Sequence, residues 1–502
     1  MVKWNNLGDL IDRSRDLSRP AIIDLRDRNA PRTWSHGEID RMAGGVAAYL
    51  QKRGLKRGAH VGLVAFNRAE YAGAYFGIMR AGYVAVPLNI KLPRETMDFI
   101  VEDARLEFAF VDDAGKTLLG DRVPSLNFDD HGPAGFAATI VPADVAAVEM
   151  KPDEIGQMLY TSGSSGRPKG VPLTHSGQAW ALSMRVPGIS PDTRYIIAQP
   201  LFHMNGLFSL KTTFAANASV VLMPGFDTRA YIEALSRYKV TDLIAVPTMF
   251  ARIVKEAELI NSLDFALTKI ALASAPTTLA LIEQVKEAFP AAEVALGYGT
   301  TEAGPAVFGP HPDGLKTPPL SIGYPLKEGE LKLVDNPNGA GQVLMMRNPA
   351  VMGGYRNLPE KSDEVLHDGW YYSGDVMRRD ENGFFFFVGR ADDMFVCSGE
   401  NIYPVEVEKM LEGHPGVQQA AVVPLADEER GQMPVAFIVP KGAADIRFDD
   451  IKTFSLAHGP AYQHPRRVKV IPELPWAGTN KIDRKALIAQ ARALEAEHGW
   501  SE

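Results

Sequence analysis

The chain has 502 residues, 46% of them apolar and 23% charged, with a formal net charge of −8 at pH 7. That length exceeds one ordinary core, so two or more packing units of a globular protein are expected. The mild acidity gives no ground to expect nucleic acid as a partner, and a single cysteine, Cys397, excludes an intrachain disulfide and suits a reducing compartment.

Residues 1–16, MVKWNNLGDLIDRSRD, lack the apolar centre of a secretory signal. The most apolar stretch, residues 72–90, is interrupted by Arg80 and Pro87 and reads as helix, turn and strand. No integral membrane segment is expected, and the default location is cytoplasmic.

In chain order, Ser35 and Glu38 form the capping-box pattern S-x-x-E ahead of Ile39, Met42, Ala43, Val46, Ala47 and Leu50. That spacing lays one apolar stripe along a helix. Residues 61–66 then read as a buried strand, 70–80 as a helix and 83–88 as a strand. Short apolar strands recur at 242–246 and 270–273, each followed by a loop and a helical stretch. Such alternation predicts a layered α/β architecture. After Pro318 the texture changes to short strands punctuated by Gly and Pro, ending at 384–388, which predicts a small β-rich unit. Beyond the polar run GRADD at 389–393 a further unit is expected. It comprises a helix near 405–411, strands near 420–424 and 435–439, and a helix near 448–457.

The segment YTSGSSGRPKG at 160–170 concentrates glycines, hydroxyl side chains, an arginine and a lysine. Glycines let backbone N–H groups approach a polyphosphate, hydroxyls donate to it, and Lys169 adds mobile positive charge. The spacing is not that of a Walker A loop. Alone, the string supports only a polyphosphate contact, and a flexible surface turn is the bland alternative.

With GYGTTE at 297–302, YYSGD at 371–375, GRADD at 389–393 and GTNKIDRKAL at 478–487, the string resembles the acyl- and aryl-CoA synthetases of the adenylate-forming superfamily. The resemblance runs in order over nearly the whole chain, from PRTWSHGEID near residue 31 to the GTNKIDRKAL segment. It implies an α/β fold: a large layered N-terminal domain with a small β-rich subdomain over 1–390, and a smaller, mobile α+β lid domain over 391–502. It implies an AMP-forming acid-thiol ligase that uses ATP, Mg²⁺ and coenzyme A, and a homodimer is one arrangement it admits.

The same resemblance assigns roles. Thr161, Ser162, Gly163, Ser164, Ser165, Gly166 and Lys169 would hold phosphates, with Ser274, Ala275, Gly299 and Thr300 bordering the nucleotide. Tyr298 would stack the adenine, and an aromatic face suits a planar base. Thr301 would touch the α-phosphate, and Glu302 would bind Mg²⁺, a cation that prefers oxygen ligands. Asp375 would accept from both ribose hydroxyls, and Arg390 would make a second ribose or phosphate contact. Lys481 would bridge the acid and the α-phosphate, where like charges meet and more charge builds in the transition state. Asn480 stands where relatives often carry glycine.

Asp392 matches a hinge between two closed arrangements. In the second arrangement Ser398, Gly399 and Glu400 would line the pantetheine path, where relatives often read Ser-Gly-Gly-Glu-Asn and this chain Cys-Ser-Gly-Glu-Asn. Arg430, Tyr462 and Arg466 would meet the CoA nucleotide, although Gln463 occupies a position where lysine is frequent. His203 matches a gate beside the reacting carboxylate. The acyl pocket would comprise Met204, Asn205, Ser209, Thr248, Ala273, Gly297, Ala303 and Gly304. Asn205 and Ser209 would lack partners against a plain alkyl chain, so a small to medium carboxylic acid, aromatic rather than long-chain, is expected; Arg252 keeps a dicarboxylate open. An adenylating enzyme that loads carrier-protein phosphopantetheine is the first rival. A nucleotide-binding regulator without catalysis is the second; it predicts damage at Glu302, Asp375, Arg390 or Lys481, and all four are intact.

Overall fold

The computed structural model describes residues 4–162, 167–305, 307–326, 329–337, 339, 341–442, 444–476, 482–497 and 500. The helix read from the Ser35 signal spans His36–Lys52. Both halves of its capping box are formed, and Ile39, Val46, Ala47 and Leu50 lie fully buried on the expected stripe. The helix Ala69–Arg80 is buried almost throughout. Arg80 is enclosed with it: its guanidinium donates to Gly8 O at 2.9 Å, Asp40 O at 3.0 Å and the Asp40 carboxylate at 2.5 Å. A charge this deep is tolerable only when paired and fully hydrogen-bonded.

Two sheets form the large domain. One runs in the order Glu293–Gly297, Lys269–Ala273, Asp242–Ala245, Arg194–Ile197, Ser219–Leu222, Pro20–Asp24 and Arg32–Ser35, parallel except for its last pair. The other runs Ser125–Asn127, Leu106–Val111, His60–Val64, Val84–Pro87, Ile155–Ser162 and Pro168–Thr174, again parallel but for its last pair. Strands buried on both faces, such as His60–Val64 and Val84–Pro87, read as continuous apolar runs, as parallel pairing between helical layers requires. The first of these stops short of Phe66 because Phe66 N leaves the ladder for the Asp112 carboxylate.

A third, antiparallel sheet is built from Phe308–Gly309, Ser321–Pro325, Phe385–Arg390, Trp370–Arg379, Gln342–Arg347 and Glu330–Asp335, with Leu366–His367 added at Trp370–Arg379. Strand pairing changes after Arg390: Phe395–Cys397 joins a fourth sheet with Glu400–Ile402, Gly431–Pro440, Val417–Asp427 and Arg467–Val470. Helices Pro404–Leu411, Phe448–His458 and Arg484–Ala496 complete this smaller C-terminal domain. The two domains touch where Lys409 Nζ donates to Phe387 O at 3.2 Å, where Glu412 bonds the Thr278 hydroxyl, and where Arg252 stands 6.0 Å from the Trp476 ring centroid. No helix among the described residues is long and apolar enough to cross a membrane.

One buried histidine gives the fold an acid limit. His175 is inaccessible, its Nδ1 accepts from Leu7 N at 3.0 Å, and burial lowers its pKa to about 4. The unfolded chain takes up a proton near pH 6.5 that the folded chain refuses until about pH 4. Stability is therefore complete above the unfolded value and declines as the pH falls through that window. His175 alone should account for a loss of about 2 kcal/mol between pH 7 and pH 5 in urea unfolding, so the pH-dependent loss in His175→Gln is expected to be smaller by about that amount. An unchanged pH slope in that variant would contradict the assignment.

Candidate active site

A cleft of 3720 Å³ lies between the two domains, and most residues singled out in the sequence border it. The phosphate segment is a hairpin tip: Ile155–Ser162 and Pro168–Thr174 pair antiparallel, with Thr161 opposite Lys169 and Tyr160 opposite Gly170. Gly163, Ser164, Ser165 and Gly166 lie outside the described residues, as does the Ser162 side chain. Thr161 and Lys169 border the cleft. Thr161 Oγ1 is buried without a hydrogen-bond partner among the described residues, which suits a donor awaiting a phosphate oxygen.

Opposite stands the turn that follows strand Glu293–Gly297. Gly304 adopts φ +85°, and a Cβ on Gly299 would come within 2.5 Å of Pro305 Cα, so the chain can fold back tightly enough for Thr300 N to reach Gly304 O at 3.2 Å. Tyr298, Thr300, Thr301 and Glu302 border the cleft from this turn. The Tyr298 hydroxyl donates to Asp375 Oδ2 at 2.5 Å. Burial, and then the adjacent Asp375 charge, hold its phenol far above the ordinary range, so it remains a donor.

Asp375 and Arg390 are cross-strand partners in the third sheet, which brings both side chains to the same place. Arg390 Nη1 donates to Asp375 Oδ1 and to Ser373 O, both at 2.9 Å, and its Nε donates to Asp392 Oδ1 at 2.9 Å. Burial pulls the guanidinium pKa down, but the two carboxylates outweigh it and raise it above the ordinary value. Tyr298, Asp375, Arg390 and Asp392 thus form one hydrogen-bonded row on the cleft wall.

On the acyl side, His203 is the N-cap residue of helix Met204–Ala216, with its ring 4.4 Å from that of Phe202. His203, Met204, Asn205, Thr248, Ala273, Ser274, Ala275 and Gly297 border the cleft. Asn205 Nδ2 donates to Ser274 Oγ at 3.2 Å, and Ser274 holds φ +68°. Ser209, Ala303 and Gly304 do not border it. Ser209 is buried along the helix, while Phe208, four residues after Met204, fills the wall in its place. Arg252 does not border it either; its guanidinium is turned to Trp476.

The C-terminal domain presents Trp476, Ile482, Asp483 and Arg484 to the cleft. Lys481 lies outside the described residues. Ser398, Gly399 and Glu400 form the exposed tip of the hairpin between Phe395–Cys397 and Glu400–Ile402. Ser398 N donates to Arg430 O at 3.1 Å, and Arg466 is close enough to Arg430 for its charge to be felt. Together with Tyr462, these residues stand on the small domain and not along the cleft.

Sequence reasoning missed the segment after strand Gln342–Arg347. Met352 N donates to Glu302 O at 2.7 Å, Asn348 Nδ2 to Ala303 O at 3.1 Å, and Arg356 N to Gly170 O at 2.8 Å. This segment ties the phosphate hairpin to the Glu302 turn. Its only local signal is the pair of glycines in VMGGYR. Among the described residues no group of three or more His, Cys, Asp or Glu side chains could cage a metal. A lone carboxylate such as Glu302 fits a cation that draws its other ligands from phosphate and water, which is the habit of Mg²⁺.

A layered α/β domain, a β-rich flank and a small second domain across a cleft lined by an aromatic ring, a carboxylate and phosphate-directed donors define a two-domain nucleotide-dependent enzyme. A sequence profile described as AMP-binding enzyme matches residues 13–356, and one described as AMP-binding enzyme C-terminal domain matches residues 406–481. The chain belongs to the AMP-binding enzyme family and is an AMP-forming acid-thiol ligase. Similar curated proteins include 4-coumarate–CoA ligase 2 of Nicotiana tabacum, 29% identical over 95% of this chain and 92% of its own length. Another is feruloyl-CoA synthase of an Amycolatopsis species, 31% identical over 91% and 93%. Among solved structures, an anthranilate CoA ligase in complex with anthranoyl-AMP superposes with a TM-score of 0.89 at 27% identity, covering 99% of both chains. ATP-bound MatB from Rhodopseudomonas palustris gives 0.87 at 25%, covering 98% of this chain and 99% of its own.

Proposed function

We propose that the enzyme activates a small to medium aromatic carboxylic acid with ATP and transfers the acyl group to coenzyme A. The observation that carries this reading is the adjacency of two walls in one cleft. Tyr298, Asp375, Arg390, Glu302, Thr161 and Lys169 supply an aromatic face, a ribose-sized acceptor and phosphate-directed donors. Beside them, Met204, Asn205, Phe208, Ala273 and Gly297 border an apolar recess with one polar corner, Asn205 and Ser274.

A carboxylate is a poor electrophile because its leaving group would be oxide. In the first step a carboxylate oxygen attacks the α-phosphorus and pyrophosphate leaves, giving the acyl adenylate. In the second the CoA thiol, giving up its proton to solvent, attacks the acyl carbonyl as the thiolate, and AMP leaves with the bonding electrons. Lys481 offsets the charge gathered in the first step. Mg²⁺, held by Glu302, would neutralise phosphate charge. For the second step the small domain turns about Asp392, replacing the face that carries Trp476 and Ile482 by the Ser398–Gly399–Glu400 tip. The names of the coumarate, ferulate and anthranilate ligases support an aryl acid. The turning of Arg252 to Trp476 favours a monoacid over a dicarboxylate.

A panel of carboxylic acids scored by CoA-dependent AMP formation tests the reading. Hydroxylated or amino-substituted aryl acids are expected to turn over well and palmitate poorly. Comparable turnover on palmitate would overturn the aryl assignment, and AMP release that requires a carrier protein would overturn the CoA assignment.

A further inference from the structure

Tyr355 sits between the two charged groups that face the phosphates. Its hydroxyl donates to Glu302 Oε1 at 3.0 Å, and its ring lies 4.2 Å from Lys169 Nζ. The Tyr371 hydroxyl is bonded in turn to that of Tyr355. Tyr371 is buried, and both rings border the cleft. The backbone on either side is pinned, by Met352 N to Glu302 O and by Arg356 N to Gly170 O. The chain around Tyr355 is thus tied to both the Glu302 turn and the phosphate hairpin, and its hydroxyl is held from two sides by Glu302 and Tyr371.

We infer that Tyr355 is a positioning residue that fixes one oxygen of the Glu302 carboxylate, leaves the other for a divalent cation, and seats the Lys169 ammonium on its ring face. Glu302 supplies the single carboxylate in question, so its orientation decides how a phosphate-bound cation is met; a second hydrogen-bonded layer commonly sets this. An ammonium over a tyrosine face is held without a competing carboxylate, which leaves its charge for the phosphates. The inference rests on the reading of Glu302 as the cation ligand.

The test compares Tyr355→Phe, which keeps the ring and loses the hydroxyl, with Tyr355→Leu, which loses both. Mn²⁺ binding to the enzyme–ATP complex is read by electron paramagnetic resonance, alongside calorimetric ATP binding without metal and thioester formation from supplied acyl adenylate. Tyr355→Phe is expected to weaken Mn²⁺ binding about ten- to a hundredfold, with metal-free ATP binding and the second half-reaction unchanged. Tyr355→Leu should weaken metal-free ATP binding as well. Because the hydroxyl acts through Glu302, the Glu302→Gln/Tyr355→Phe double variant should lose little beyond Glu302→Gln alone. Wild-type Mn²⁺ affinity in Tyr355→Phe beside a loss in Glu302→Gln would overturn the role of Tyr355 alone. Wild-type affinity in Glu302→Gln would remove the cation assignment of Glu302, and the role of Tyr355 with it.

Discussion

Replacing Lys481 by alanine is expected to slow pyrophosphate-releasing adenylation by about 10²- to 10³-fold, the usual cost of removing one group that stabilises transition-state charge. Thioester formation from supplied acyl adenylate should proceed at nearly the wild-type rate. The asymmetry follows from the charges. In the first step an anionic oxygen approaches a phosphorus already surrounded by anionic oxygens; in the second a sulfur attacks a neutral carbonyl and AMP departs. The flanks of Lys481 are well placed for the first step. Trp476 and Ile482 form an antiparallel bridge, and both border the cleft. Arg484 does not substitute for the lysine, because its guanidinium is committed to Glu408 at 2.6 and 2.9 Å and to Val422 O at 2.8 Å. Lys481→Arg should recover part of the rate, since charge is kept while a planar fork replaces a point charge. Equal losses in the two half-reactions would show that Lys481 does not act in the first step alone.

The elements that sequence made legible are those whose cause is local. The Ser35–Glu38 box predicted a helix start that both side chains realise, and apolar runs predicted strands that the parallel sheets enclose. The antiparallel edge at the phosphate hairpin was less legible. Residues 160–170 read as a loop, yet Tyr160, Thr161 and Ser162 are ladder partners of Gly170, Lys169 and Pro168. In the site, motif order gathered Tyr298, Asp375 and Arg390 before any distance was known. Tyr355 escaped because its meaning lies in Glu302, fifty-three residues away in sequence, and in Lys169 on the strand Pro168–Thr174; neither periodicity nor composition reports such a contact. Ser209 was placed on the pocket wall by resemblance, whereas helix rotation presents Met204, Asn205 and Phe208. The polar partner of Asn205 is therefore Ser274, on a separate turn.

Asp375→Ala is expected to weaken ATP binding by about 100-fold or more, from the loss of two charge-assisted hydrogen bonds to the ribose worth about 1.5–3 kcal/mol each. The same change should lower folding stability by about 1–3 kcal/mol, because a buried donor loses its acceptor: Asp375 is 6% exposed, and its carboxylate receives both the Tyr298 hydroxyl and Arg390 Nη1. The two effects need separating, since a slackened Tyr298 could by itself weaken adenine stacking. Sugar analogues separate them. If Asp375 accepts from the ribose, the wild-type enzyme prefers ATP to 2′-deoxy-ATP, and Asp375→Ala binds both equally weakly. If Asp375 serves only to hold Tyr298 and Arg390, the variant keeps the wild-type preference while losing affinity for both nucleotides, and the ribose assignment fails. Asp375→Asn offers the converse check. It retains an acceptor for Tyr298 but removes the charge opposite Arg390, so stability should recover further than affinity. Arg390 then keeps Ser373 O and, as its one carboxylate partner, Asp392, the residue about which the small domain is proposed to turn. A variant that also shifts the balance between the two half-reactions would tie the nucleotide contact to that rotation.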